Sequence, residues 1–314
     1  MSWLIDLVEL LTKQTLFIAA FTVVLLFTFW VLIKIKRSQK RYSPLTEELL
    51  RTPGQQLESE LSGLEEKLLA GVLTALLGPV IVLVTTTKSL ILWGVALLFF
   101  LIGTARTWVV LSKAIRLRLA CDGEQYTGAE LNLLMRSGAW VFHDIPYSYG
   151  NIDHIVISKG GVFAIETKTI RKPEGDRQSR CISTVVFDGK KLKFPHFTTS
   201  APLEQSTRHA KYLKQSISEN TGLDIKVTPV VALPGWYIKR TDRSAVWIIN
   251  PKRGGPLHQA VMKNEISSAD LARVANYVET VARSVPASSK KMDPDASKYY
   301  DFWNNQKFKP KKIE

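Results

Sequence analysis

Three charged side chains in the middle of the chain are spaced so that they could act together. Asp153 opens the segment NIDHIVIS, and Glu166 and Lys168 lie two residues apart in the segment VFAIETKTI. Residues two apart on a β-strand project from the same face, and Lys159–Gly161 offers a turn that would join the two segments as a hairpin. Asp153 would then lie near Glu166 and Lys168, so that two carboxylates and an ammonium group converge.

This combination of charges favours a divalent cation. Burying two carboxylates costs free energy unless they bind a cation. Carboxylate and water oxygens are the ligands that Mg²⁺ (or Mn²⁺) prefers. Such an ion could activate a water and stabilise charge developing on a phosphodiester, while Lys168 orients the water or offsets that charge. Glu124, at the start of the preceding predicted helix, is a third candidate carboxylate. The competing interpretation is a set of exposed strand charges in ordinary ion pairs, because a D…ExK spacing by itself is a weak signal.

The surrounding sequence predicts an α/β domain that positions these residues. The segment GEQYTGAELNLLMRSG has helical spacing and a glycine stop. Alternating and apolar runs predict strands at AWVFHDI, IKVTPVVALPG and AVWIIN. A further hairpin is predicted at CISTVVFDGKKLKF, turned at Asp188-Gly189, and further helices at Pro202–Ser218 and Ile266–Ser284.

Several of these features occur in the order found in a known family. Roughly residues 115–250 resemble the nuclease-related domain family, a branch of the PD-(D/E)xK nuclease superfamily. The resemblance is carried by Gly123-Glu124, by the HDI of His143–Ile145, by NIDHIVIS, by GVFAIETK, by APLEQSTRHAKYL with Gln205, and by TPVVAL. Ile152 replaces the superfamily's motif proline, and TIRKPEGD departs from the asparagine and glycine expected after Lys168.

The resemblance implies a fold, an activity and a set of site residues. The fold would be restriction-endonuclease-like, with a mixed central sheet flanked by helices. Asp153, Glu166 and Glu124 would bind the metal, Lys168 would be catalytic, and Gln205 would contact the site in a supporting role. The activity would be metal-dependent hydrolysis of nucleic acid, with Mg²⁺ (or Mn²⁺) as the cofactor.

The N-terminal third has the composition of membrane-spanning helices. Residues 15–33 are almost unbroken apolar sequence followed by five basic residues, and a second apolar region from Leu68 to Leu111 is interrupted by TTTKS. Apolar runs of about twenty residues can cross a bilayer. A signal peptide is the competing interpretation of the first run, although its charges follow the apolar core and no small-residue cleavage site is evident. A single helix or a re-entrant segment remains open for the second region's first half.

Charge asymmetry then sets the expected topology. Basic residues cluster after the first run and after the last, so the positive-inside rule puts both following segments in the cytoplasm. Three spans with the N-terminus outside satisfy this rule at every loop. We therefore expect a membrane anchor at 1–111, with spans at 15–35, 68–84 and 90–111 and a cytoplasmic linker at 34–67, a nuclease-related α/β domain at 112–285, and a basic polar tail at 286–314.

The charge balance indicates a polyanionic partner for the C-terminal part. The chain carries 42 basic and 28 acidic residues, of which residues 112–314 hold 32 and 20. Such an excess suits nucleic acid, DNA ahead of RNA, or anionic lipid headgroups that the basic tail could contact. The sequence thus predicts an N-terminal all-α transmembrane segment followed by a C-terminal α/β restriction-endonuclease-like domain, acting as a nuclease at the cytoplasmic face of the cell (inner or plasma) membrane. The alternative is a non-catalytic, membrane-tethered module that binds nucleic acid or protein on a nuclease scaffold.

Overall fold

The computed structural model describes residues 48–84, 89–147, 150–173, 183–252 and 255–285, together with Phe27 and Trp30. The predicted first span at 15–35 (apart from these two aromatic residues), the linker up to residue 47 and the tail 286–314 lie outside the described residues. Residues Leu49–Val285 form one unit. Its elements are β1 (Leu49–Leu50), α1 (Gln55–Val84), α2 (Leu90–Asn132), a 3₁₀ helix (Leu133–Ser137), β2 (Trp140–Tyr147), β3 (Gly150–Ser158), β4 (Gly161–Thr167), β5 (Thr184–Phe187), β6 (Leu192–Lys193), β7 (Thr198–Thr199), α3 (Ala201–Thr221), β8 (Val227–Ala232), β9 (Tyr237–Arg240), β10 (Trp247–Ile249), α4 (Pro256–Val261), α5 (Ser268–Ala282) and β11 (Arg283–Val285).

Helices α1 and α2 contact each other along small residues. A β-carbon added at Gly103 would lie 2.2 Å from the backbone nitrogen of Ala75, and one added at Gly78 would lie 2.2 Å from the carbonyl oxygen of Ala96. Small residues at a helix interface let two backbones approach closely, as in membrane helix pairs. The large apolar side chains point outward instead and are exposed, among them Leu69, Leu73, Leu76, Leu77, Leu90, Ile91, Leu97, Leu98 and Leu101.

One described helical stretch has the length and composition of a membrane span. Leu90–Ser137 contains a window with a mean hydropathy of 1.9, and among the described residues it alone meets both criteria. It covers the predicted span at 90–111. The predicted span at 68–84, which forms the C-terminal half of α1, stays a prediction.

The two long helices extend further than the sequence pattern suggested. The amphipathic segment QQLESELSGLEEKL and the apolar residues after it form the single helix α1. The helix predicted to begin near Gly123 is the C-terminal part of α2, which starts at Leu90. No proline interrupts residues 90–132, so the helix has no local reason to end at the predicted boundary near residue 112.

A five-stranded mixed sheet forms the centre of the C-terminal region, as predicted. Its strand order is β10-β8-β4-β3-β2, with β2, β3 and β4 antiparallel and β4, β8 and β10 parallel. Side chains alternate between two faces: Ile155 and Ile157 lie in one core with Leu213 of α3, whereas Val156 lies in the other core with Leu257 of α4. Both faces are thus covered, and the buried strands consist mostly of apolar residues.

A second, four-stranded sheet has the order β7-β6-β5-β9. The antiparallel pair β5–β6 confirms the hairpin predicted at Asp188-Gly189, where Asp188 Oδ1 accepts backbone hydrogen bonds from Lys190 and Lys191. Strand β9 adds to β5 in parallel and was not predicted, because YIKR is short and polar. Trp236, which is buried, connects this sheet to the end of β4, since its Nε1 donates to the carbonyl oxygen of Ile170 at 3.2 Å.

Candidate active site

Strand pairing brings the predicted charged residues to one end of the central sheet. The register places His154 opposite Ile165, so the adjoining residues Asp153 and Glu166 lie on neighbouring strands at the same level. Strand alternation then puts Asp153, Glu166 and Lys168 on the face covered by α3. Asp153 Oδ2 accepts a hydrogen bond of 2.7 Å from the backbone nitrogen of Thr167. This bond fixes the Asp153 carboxylate against the end of β4.

Glu166 lies between a lysine and a histidine. Lys168 Nζ is 2.6 Å from Glu166 Oε1, and His209 Nδ1 of α3 is 3.2 Å from Glu166 Oε2. Glu166 and His209 are each 1% exposed, whereas Lys168 is 36% exposed. Glu166 is therefore the inner member of the site, and Lys168 lies at its mouth.

The His209 contact has the distance of an ion pair without the geometry of a hydrogen bond. Glu166 Oε2 and His209 Nδ1 are both buried, and neither has a hydrogen-bond partner among the described residues. A buried carboxylate oxygen in this state is costly. It would gain a partner if an added ligand, such as a cation or a water bound to one, occupied the site.

Helix α2 brings Glu124 toward these strands because Gly123 permits a close approach. A β-carbon at Gly123 would lie 1.5 Å from Thr169 Oγ1, so no larger residue fits against the end of β4. Burial, followed by the charges of Asp144 and Glu166, raises the pKa of Glu124 to about 7. Glu124 is therefore close enough to be affected by the charges of Asp144 and Glu166.

The same charges also shift the pKa values of Asp153 and Lys168. Burial, followed by repulsion from Glu166 and Glu124, raises the pKa of Asp153 well above its ordinary value. Burial alone would lower the pKa of Lys168, but the neighbouring carboxylates, Glu166 foremost, outweigh it and raise that pKa. The cluster therefore has more negative charge than one lysine neutralises, and the donor set suits a hard divalent cation. As the side chains stand, no three His, Cys, Asp or Glu residues in the described part of the chain are gathered as a metal site.

Gln205 lies on α3 one turn before His209 and lines a groove beside the site. Among the described residues its side chain forms no hydrogen bond with Asp153, Glu166 or Lys168, so its supporting role stays a prediction. His209 was not singled out from the sequence, although its spacing of four residues from Gln205 places both on one helix face. That spacing was the sequence feature from which His209 could have been predicted to lie near the site.

Two further residues missed as functional candidates lie in the HDI segment. Asp144 has a φ of +53°, and its Oδ2 accepts hydrogen bonds from Arg51 Nη2 at 2.8 Å and from the backbone nitrogen of Gln56 at 2.9 Å. Asp144 therefore ties the first turn of α1 to β2. His143 lies opposite His154, with their Nδ1 atoms 2.9 Å apart, on the sheet face away from Glu166. His154 follows Asp153 directly in β3, so strand alternation points it away from the site.

Comparison with known families gives one match. Residues 121–234 match the nuclease-related domain, a range that includes Glu124, Asp153, Glu166, Lys168, Gln205 and His209. Through that family, the match implies the PD-(D/E)xK superfamily and indicates a nuclease-like function for this part of the chain. No curated protein and no solved structure matches the chain.

Proposed function

Taking residues 121–234 as a nuclease-related domain, we propose that the protein is a membrane-anchored, metal-dependent nuclease that hydrolyses phosphodiester bonds of DNA. The domain would act at the cytoplasmic face of the cell membrane. The observation that carries the proposal is the environment of Glu166, a buried carboxylate held between Lys168 and His209 at the strand end where Asp153 also lies. Packing of a sheet does not require buried charges at this position, and a cation-binding site accounts for them.

Asp153, Glu166 and Glu124 are the residues that would hold the metal, Mg²⁺ or Mn²⁺. The fit is supported by the unpartnered Oε2 of Glu166 and by the raised pKa values of Asp153 and Glu124. When bound, a divalent cation supplies Lewis acidity and lowers the pKa of a coordinated water.

Lys168 and His209 have separate tasks in this proposal. The raised pKa of Lys168 keeps its ammonium group protonated at neutral pH. At the mouth of the site, that charge can stabilise negative charge developing on a phosphoryl oxygen. His209 is buried beside Glu166 Oε2, and its task would be to keep that carboxylate in its orientation.

A basic surface supports a nucleic-acid substrate. Residues 112–314 hold 32 basic and 20 acidic residues, and the second sheet exposes Lys190, Lys191, Lys193, Lys239 and Arg240. Phosphate contacts of this kind give salt-dependent, sequence-independent affinity. DNA is our preferred substrate, and RNA is the comparison arm of the test.

The membrane part of the proposal rests on the apolar helices. The helical stretch Leu90–Ser137, which contains residues 90–111, passes the length and composition criteria for a span. Helix α1 contacts α2 through small residues, while large apolar side chains of both helices face outward. We propose three spans, with the N-terminus outside and both basic segments in the cytoplasm. If membranes washed at alkaline pH release the full chain into the supernatant, the anchor is wrong; retention supports it.

A non-catalytic binding module is the second candidate. Its supporting observation is the Lys168–Glu166 ion pair of 2.6 Å, which satisfies one oxygen of the carboxylate without any metal. Such a module would bind DNA in a salt-dependent manner and would not cleave it, whichever divalent ion is present.

The deciding experiment uses the purified full chain in detergent. Single-stranded DNA, double-stranded DNA and RNA are incubated with Mg²⁺, with Mn²⁺ and with chelator, beside an Asp153→Ala sample. Cleavage that needs the metal and is lost in the variant supports the nuclease. Binding without cleavage under every metal supports the binding module instead.

A further inference from the structure

A groove of about 500 Å³ lies directly beside the candidate active site. It is lined by Gln205, Arg208 and Tyr212 of α3 and by Tyr147 and Asn151 at the facing ends of β2 and β3. His209 lines the same groove, and its Nδ1 is 3.2 Å from Glu166 Oε2. His209 therefore connects the groove to the buried Glu166 carboxylate.

Aromatic rings connect the groove to the site. The Tyr147 and Tyr212 ring centroids are 4.8 Å apart with a tilt of 41°, and the Tyr147 and His209 ring centroids are 5.2 Å apart with an edge-to-face angle of 77°. Both tyrosines are half-buried. Each presents an apolar ring on a wall whose remaining described side chains are polar.

The charge of the groove is positive. Arg208 and Lys211 line it and are exposed. Neither forms an ion pair with a carboxylate among the described residues, and no acidic side chain from that part of the chain lines the groove. An occupant with negative charge and a flat apolar part would match both features.

We propose that this groove binds an unpaired nucleotide of a single-stranded nucleic acid, with its base on the Tyr147–Tyr212 pair and its phosphates on Arg208 and Lys211. Bases stack on aromatic side chains without sequence preference, and the arrangement with a basic groove is typical of single-strand binding. A base inside a duplex has both faces covered by its neighbours, so it cannot use these rings. The strand would run past His209 toward Glu166. This inference deepens the proposed nuclease function, and it assigns single strands or unpaired strand ends as the substrate class.

The test is a binding titration of the full chain in detergent with chelator present, so that no cleavage occurs. A fluorescein-labelled oligothymidylate is compared with a duplex of the same length by fluorescence anisotropy. We expect tighter binding of the single strand. Tyr212→Leu should weaken it by about 5- to 100-fold, the usual cost of one lost base stack, and Tyr212→Phe should bind as the wild type does. Arg208→Gln should lower the slope of log affinity against log salt by about one.

Trp140→Leu is the control, because Trp140 is an exposed aromatic residue at the start of β2, the opposite end of that strand from Tyr147. Tyr212→Leu keeps an apolar side chain of similar length, and its circular dichroism spectrum must match that of the wild type. The inference is overturned if Tyr212→Leu binds the single strand like the wild type, if Trp140→Leu loses the affinity instead, or if the duplex binds more tightly.

The two proposals can fail separately. If the wild type cleaves DNA with Mg²⁺ and Tyr212→Leu leaves single-strand affinity unchanged, the groove assignment is wrong and the nuclease stands. If binding depends on Tyr212 and no metal supports cleavage, the groove assignment stands and the catalytic proposal fails.

Discussion

His209 Nδ1 lies 3.2 Å from Glu166 Oε2 in a position closed to solvent. The two residues are 43 positions apart in the chain, so only the docking of α3 on the central sheet brings them together. Glu166 thereby lies between the His209 imidazole ring and the Lys168 ammonium group. The orientation of the central carboxylate therefore depends on a helix that also forms the wall of the groove.

Replacing His209 should weaken catalysis without removing it. We expect His209→Ala to lower the cleavage rate by about 10- to 100-fold and to raise the Mg²⁺ concentration needed for half-maximal rate, since partners that orient a ligand have effects of this size. His209→Asn, which keeps a nitrogen near the Nδ1 position, should lose less. Lys214→Ala, on the exposed part of the same helix, serves as the control. An unchanged rate and unchanged Mg²⁺ dependence in His209→Ala would show that the contact is incidental.

Asp144 should be a major contributor to stability. Its carboxylate accepts hydrogen bonds from the Arg51 guanidinium group, the backbone nitrogen of Gln56 and the side-chain amide of Asn151. Asp144→Ala removes the acceptor shared by a partly buried guanidinium group and two further donors, so the free energy of unfolding should fall by about 3–5 kcal/mol. Chemical denaturation followed by tryptophan fluorescence measures this change. Asp224→Ala, which removes an exposed ion pair with Lys214, should have a much smaller effect, and equal losses in the two variants would refute the anchoring role.

A large side chain should destabilise the α1–α2 helix pair at Gly103 but not at Gly94. Gly103→Leu places side-chain atoms where the backbone of Ala75 already lies, whereas an added β-carbon at Gly94 meets nothing within 4 Å. We expect Gly103→Leu to lower the melting temperature of the full chain, by a destabilisation of about 1–3 kcal/mol or more. Gly94→Leu should melt as the wild type does. If both variants melt together, α1 and α2 do not contact each other as described.

The buried His143 makes stability depend on pH. Burial lowers the pKa of His143 to about 4, while an unfolded histidine titrates near 6.5. Between these two pH values the unfolded chain therefore binds more protons than the folded chain. The contribution of neutral His143 to the free energy of unfolding is fully present above about pH 6.5 and is lost as the pH falls toward 4, by about 3 kcal/mol in total. As the pH is lowered across this range, the melting temperature of the wild type should fall more steeply than that of His143→Gln. Parallel curves would contradict a neutral buried His143.

Local sequence pattern was sufficient for the strand pair that carries the site. The period of two in NIDHIVIS and GVFAIETK, with a turn between them, predicts both the hairpin and the shared face of Asp153, Glu166 and Lys168. The observed register agrees with that expectation. The pattern is strong because both strands are buried and nearly every position is constrained.

Other features depend on contacts that no local pattern encodes. The His209–Glu166 contact requires the docked position of α3, and the positive φ of Asp144 is maintained by partners from α1 and β3. The sequence pattern predicts a span that ends at residue 111 and a separate helix from Gly123, whereas α2 is continuous through both. The missing side chain of Gly123 permits the close approach to Thr169. Strand β9 was missed because its stability comes from pairing with β5 rather than from its own polar sequence.

We expect Glu166 to serve a metal-dependent cleavage reaction, which the Mg²⁺-dependent rate of DNA cleavage by Glu166→Gln tests most directly. The substitution keeps the size of the side chain and removes its charge. Glu219→Gln, at an exposed position of α3, is the matched control. We expect the Glu166 variant to lose at least about a hundredfold in rate at saturating Mg²⁺ while keeping its fold and its DNA affinity, and the control to cleave normally. Cleavage by Glu166→Gln at the wild-type rate would contradict the mechanism and move the site elsewhere in the chain.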